Sequence, residues 1–221
     1  MFPLTDNIPR RTIPFVNYMI IAVTAYVFYL QFTAADFGGF VVTYAFIPAD
    51  FSFRDPYSYR YVFYSMFLHG GLFHLISNMW FLRVFGDNVE DAFGHVKYLL
   101  FYLAGGTVAV FSQYFVMTDA TVPMIGASGA VSAVSGAYFV YFRQARVHTL
   151  VTLIVIWTVI KLPASFVLGY WFLTQVLSGL GSFASPQDLD PGGVAFFAHI
   201  GGFIFGYLVA IIRSSKDTQN L

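Results

Sequence analysis

Six stretches of this 221-residue chain run for seventeen to twenty-one residues with few charges, near 13–32, 72–88, 96–116, 125–142, 163–180 and 194–212. About 20 residues of helix cross the ~30 Å of hydrocarbon in a bilayer. Lipid offers no partner to backbone N–H and C=O groups, so segments that span it must bond their own backbone, as helices do. Composition agrees, with 58% of residues hydrophobic and 10% charged, against roughly 25% charged in soluble domains. The expectation is an all-α membrane protein, a six-transmembrane-helix bundle forming one domain over residues 1–221, with tails at 1–12 and 214–221, a long loop at 33–71 and a second loop at 181–193.

Arg83 falls inside the second stretch but near its end, where a long side chain can reach the headgroups. Residues 149–160 are also apolar, yet only twelve long and closed by Lys161 and Pro163, and they read as lying along the interface. Pro163 then suits the first turn of the fifth span. The first apolar run exceeds the roughly 7–15 residues of a signal-peptide core and reads as a retained anchor. The chain has no cysteine, which excludes disulfides, thiolate metal sites and a cysteine nucleophile. Its net charge is zero with no long basic run, so nothing invites nucleic acid.

Short cytoplasmic loops are enriched in Lys and Arg. With the N-terminus inside, Arg10, Arg11, Arg83, Lys97, Arg143, Arg146, Lys161, Arg213 and Lys216 fall on the cytoplasmic side, nine of eleven, leaving Arg54 and Arg60 outside. Both termini are therefore expected to be cytoplasmic. Spans two, four and six then all run inward, and residues near their starts share a depth. His74 and Asn78 are two and six residues into span two, Ser128 three into span four and His199 five into span six. At ~1.5 Å rise per residue the four lie within roughly 10 Å of the external face.

Polar side chains in hydrocarbon need a partner or a task. A serine and a histidine at one level supply a nucleophile and its base, provided the helices approach closely enough for a bond of about 3 Å. Small residues permit that approach: Gly126, Gly129, Ala130, Ala133, Gly136 and Ala137 in span four, and Gly201, Gly202 and Gly206 in span six, with a GxxxG spacing at 202 and 206. Alone, GxxxG reads more readily as packing; a serine in one face and a histidine beside the other favours a site. His74 and Asn78, at i and i+4, share a helix face. They can donate to a developing oxyanion, as can the Ser128 N–H at a helix start, or they can simply bond loop carbonyls. A metal site on His69, His74 and His199 lacks companion carboxylates and an H-E-x-x-H pattern, so no metal is expected.

As a set, Gly126-Ala127-Ser128-Gly129, Ala198-His199-Ile200-Gly201-Gly202 with Gly206, and His74-Leu75-Ile76-Ser77-Asn78 resemble the rhomboid intramembrane serine proteases over roughly residues 14–213. The resemblance implies a catalytic dyad of Ser128 and His199, an oxyanion hole completed by His74, Asn78 and the Ser128 amide, and no cofactor. It implies substrates that are single-pass membrane proteins cut in or near the transmembrane segment after a small residue. By the same likeness the 33–71 loop, with Tyr59-Arg60 where the family often has Trp-Arg, lies partly in the outer leaflet, 181–193 caps the site, and Glu90 tethers loops on the cytoplasmic side. The family commonly places Tyr or Phe four residues after the nucleophile, against the histidine; here stands Ser132. The imidazole is then held otherwise, by a bond from Ser132 or under Phe196 or Phe197.

Soluble hydrolases fit less well: G-x-S-G-A lacks the second glycine of a nucleophile elbow, and Asp188 and Asp190, the nearest candidate acids, lie in the 181–193 loop. A non-catalytic relative that binds membrane proteins would not need both Ser128 and His199. A transporter would be expected to show mirrored halves, which are not visible. Compact size and short loops suit a bacterial plasma membrane.

Overall fold

The computed structural model describes residues 1–153, 156–184 and 194–219. Each of the six long apolar stretches contains a helix. In chain order the elements are strand β1 (Phe2–Thr5), α1 (Phe15–Thr33), α2 (Phe37–Tyr44), α3 (Tyr59–Ser65), α4 (Leu72–Phe93), α5 (His95–Val116), α6 (Ser128–Tyr141), strands β2 (Arg146–Leu153) and β3 (Ile156–Pro163), α7 (Ala164–Ala184) and α8 (Phe196–Gln219).

Four of these, α1, α5, α7 and α8, are long and apolar enough to cross a membrane, and the chain is an integral, multi-pass membrane protein. The other two of the six expected spans differ in kind. α4 is 22 residues long but carries Arg83, Asp87, Glu90 and Asp91 in its second half. α6 has only 14 residues, about 21 Å at 1.5 Å per residue, because Gly126, with φ at +126°, breaks the helix ahead of Ser128.

α6 is the axis of the bundle, with Gly129 to Tyr138 all buried against α4, α5, α7 and α8. Its small residues let α8 touch it backbone to backbone. A Cβ on Gly206 would stand 1.8 Å from the Ala133 carbonyl oxygen, one on Gly202 2.2 Å from that of Gly129, and one on Gly136 2.1 Å from that of Phe203. Phe85 against Tyr138 and Phe93 against Tyr141, with ring centroids 4.9 and 6.0 Å apart, pack the far end, where Arg213 of α8 donates to the Ala92 carbonyl at 2.9 Å. The C-terminal ends of α4, α6 and α8 thus lie together, and so do their N-terminal ends.

The all-α expectation needs correction in one region. Within the apolar run, residues 149–153 and 156–160 lie in two paired antiparallel strands, with Val147 opposite Leu162 and Thr149 opposite Ile160, and β1 adds a third strand along β2. Its Val, Thr and Ile content suits a pleated surface, and Pro163 closes the strand while Ala164 opens α7. The N-terminal segment is correspondingly tied down: Trp80 donates to the Pro3 carbonyl at 2.7 Å, and Asp6 accepts from Asn88 at 2.8 Å and Tyr138 at 2.5 Å. The loop 33–71 is likewise built: it contains α2 and α3, and Val62 of α3 packs in a cluster with Phe46, Phe51, Met66 and Val110.

α1 begins after Pro14, which brings no capping side chain. The fully buried Glu90 carboxylate of α4 supplies the missing acceptor, taking the N–H of Val16 at 3.1 Å and of Asn17 at 2.7 Å, with His95 Nδ1 at 2.5 Å. An anion at a helix start meets unpaired amides and the positive end of the dipole. Glu90→Ala strands those donors inside the protein and is expected to lower stability by about 3 kcal/mol. Thermal unfolding in detergent, compared with the exposed Asp119→Ala, measures this.

Candidate active site

Gly126 makes the turn that exposes Ser128. Its positive φ suits a residue without a side chain, and a Cβ there would press on the His74 ring, 2.9 Å from Nε2. Ser128 opens α6, so the first amides of that helix, its own included, have no intrahelical acceptor. Directly across, His199 sits one turn into α8, 8% exposed. The start of α8 is held by Gln113 of α5, whose Oε1 accepts from the amides of Phe197 at 3.1 Å and Ala198 at 3.4 Å.

The structure brings the two expected residues into contact: Ser128 Oγ lies 2.7 Å from His199 Nε2. His199 Nδ1 lies 2.8 Å from Oε1 of Gln175 on α7. An amide oxygen can only accept, so Nδ1 carries the hydrogen and Nε2 presents a lone pair to the serine hydroxyl. Trp171, one turn before Gln175, places its ring 5.8 Å from that of His199.

The partners that hold the imidazole differ from those expected. Ser132 Oγ donates back to the Ser128 carbonyl at 2.5 Å, the i−4 bond usual for a serine inside a helix, and the flanking positions belong to Gln175 and Trp171 rather than to Phe196 or Phe197. Neither α7 residue stands out in the sequence, where span five is marked by its apolarity. The available signal was a carboxamide within an apolar span, where polar groups are expensive, one turn from a tryptophan.

His74 joins the pair. Its Nδ1 accepts from the Gly70 amide at 3.3 Å, which leaves Nε2 as the donor, and that atom faces the Gly126–Ser128 turn. His69 packs edge-on to it with centroids 4.9 Å apart. Burial, then the neighbouring His74, pushes the His69 imidazole down to about 3, so it is a neutral wall; Gln31 clasps its backbone N–H and C=O at 3.2 and 2.6 Å. Asn78 is buried one turn further along α4, with Nδ2 donating to the His74 carbonyl at 3.0 Å. It is on the expected face, but this bond engages one of its two hydrogens.

A cavity of about 30 Å³ adjoins Ser128, lined by Gly126, Gly129, Met66, Met124 and Ala198 among others. That is room for a water molecule or two. A larger cavity of about 260 Å³ lies in the 33–71 loop between Phe46 and Tyr61 and contains none of these residues. In the 181–193 loop, positions 185–193, with Asp188 and Asp190, lie outside the described residues.

A family model described as Rhomboid domain matches residues 56–216. The chain is 30% identical over 149 residues to RHOMBOID-like protein 6, mitochondrial, of Arabidopsis thaliana, covering 67% of this chain and 41% of that one. It is 29% identical over 170 residues to Rhomboid protease GlpG of Haemophilus influenzae, 76% of each chain. It is 32% identical over 84 residues to Presenilin-associated rhomboid-like protein, mitochondrial, of Bos taurus, covering 37% of this chain and 22% of that one. It thus matches less than half the length of the plant and bovine relatives. Two of the three are mitochondrial by name, so these likenesses lend no support to a bacterial plasma membrane in particular.

Proposed function

We propose, from the premise that this chain belongs to the rhomboid family, that it is an intramembrane serine protease using Ser128 as nucleophile and His199 as base. One observation carries the reading: the serine hydroxyl lies 2.7 Å from a lone-pair nitrogen of a buried imidazole. Ser128 Oγ attacks the scissile carbonyl as its proton passes to His199 Nε2, and the protonated ring later gives that proton to the leaving amine. The oxyanion is received by the Ser128 N–H and His74 Nε2–H, with Asn78 behind them.

The topology proposed is the six-span one, both termini cytoplasmic, in which the short α6 starts beneath the outer surface and Ser128 opens into a wet recess. Substrates are single-pass membrane proteins cut in or near their transmembrane segment, and the small cavity beside Ser128 favours a small residue before the cut. No cofactor takes part.

The test is cleavage of a model single-pass substrate by the purified protein in detergent. The parent is expected to cut and His199→Ala to lose about 10³-fold in rate. Cleavage that survives His199→Ala, or a folded parent that cuts none of several such substrates, would overturn the reading and favour a non-catalytic binding factor.

A further inference from the structure

The second bond made by His199 has no place in the two-residue scheme above. We propose that Gln175 is a positioning residue that fixes the tautomer and direction of His199, doing with a neutral amide what a carboxylate does in a three-residue triad. This rests on the protease reading.

The inference stands on the direction of a hydrogen-bond chain. Thr174 Oγ1 donates to the Trp171 carbonyl at 2.6 Å, which commits its only hydrogen. Its lone pairs remain to accept from Gln175 Nε2 at 3.2 Å. With Nε2 so engaged, Oε1 is the Gln175 atom that faces His199 Nδ1 at 2.8 Å. The opposite setting of the amide would turn its oxygen toward a threonine oxygen with no hydrogen left to give. Because Oε1 only accepts, Nδ1 must carry the hydrogen and Nε2 must be the base facing Ser128.

No proton moves to Gln175 during the reaction. When Nε2 takes the serine proton, the ring keeps its Nδ1–H, and the C=O dipole of Gln175 points at the new positive charge. Around the ring stand Trp171 of α7 and Ser128 of α6, and His74 of α4 is the titratable group facing it among the described residues. Neither bond to His199 comes from a carboxylate.

Two substitutions and two readouts test this. Gln175→Met keeps the length and removes the acceptor; it is expected to lower kcat about 100-fold with KM little changed. The ¹⁵N NMR signal of His199, identified by its loss in His199→Asn, is expected to leave the Nδ1–H pattern. Gln175→Glu keeps the acceptor and adds charge. It should restore most of kcat and move the acidic limb of the kcat profile to higher pH, because an adjacent carboxylate favours the protonated imidazole. Parental kcat and an unchanged His199 tautomer in Gln175→Met would overturn the proposal. So would a Gln175→Glu profile whose limb does not move, which decides the matter if the methionine variant fails to fold. The NMR readout separates the two claims: a folded parent with Nδ1–H that cuts nothing sinks the protease reading alone, whereas a cleaving parent indifferent to Gln175→Met sinks the positioning role alone.

Discussion

Ser128→Ala should lower cleavage of a single-pass substrate at least about a thousandfold while leaving the thermal unfolding midpoint in detergent nearly unchanged. The activity follows from what remains near His199 Nε2 once Oγ is gone. Ser132 Oγ is bound to the residue 128 carbonyl at 2.5 Å, and Ser65 Oγ, which also lines the small cavity, is bound to the Val62 carbonyl at 3.0 Å. Among the described residues no second hydroxyl is bonded to His199. The stability follows from alanine's good helix propensity and from the half-buried position of Ser128, where removing one hydrogen bond costs about 1 kcal/mol. A variant that lost activity by unfolding would show it in the melting curve.

Gly206→Val should be nearly as damaging, by a different route. Its Cβ would fall 1.8 Å from the Ala133 carbonyl oxygen and 2.6 Å from the carbonyl carbon, atoms of the central helix backbone that cannot rotate aside. To admit a methyl, α8 must retreat from α6 by more than about 1 Å, and overpacking of this sort costs roughly 1–3 kcal/mol or more. The same retreat widens the 2.7 Å contact between Ser128 and His199, and a displacement of about 1 Å can lower a rate 10²-fold. Cleavage is expected to fall about 100-fold or more, together with a lower unfolding midpoint. Gly181→Ala on α7, where a Cβ meets nothing within 4 Å, is the control and should leave both unchanged.

The sequence was most informative where one residue type answers one physical demand. Apolar runs located all the long helices because lipid tolerates little else, and glycines opposite one another foretold the close α6–α8 seam. Small offsets of His74, Ser128 and His199 from their span starts, two, three and five residues, set the three at a similar depth, since parallel helices convert sequence offset directly into depth. The sheet was harder to read. Residues 149–160 are rich in Val, Thr and Ile, a strand composition, but apolarity in a membrane chain argued for lipid, and pairing of Phe2 with Leu150 has no local signature. Gln175 was hidden for a related reason: its role depends on the side of α7 that faces α8, and span five has too few polar residues to mark a face.

The central claim is that an imidazole activates one particular hydroxyl inside the bundle, and a serine-directed fluorophosphonate tests it most directly. Incubated with the purified protein in detergent and digested for mass spectrometry, the probe is predicted to leave its adduct on Ser128, with labelling lost in His199→Ala. An adduct on another serine, or undiminished labelling of Ser128 without His199, would contradict the account.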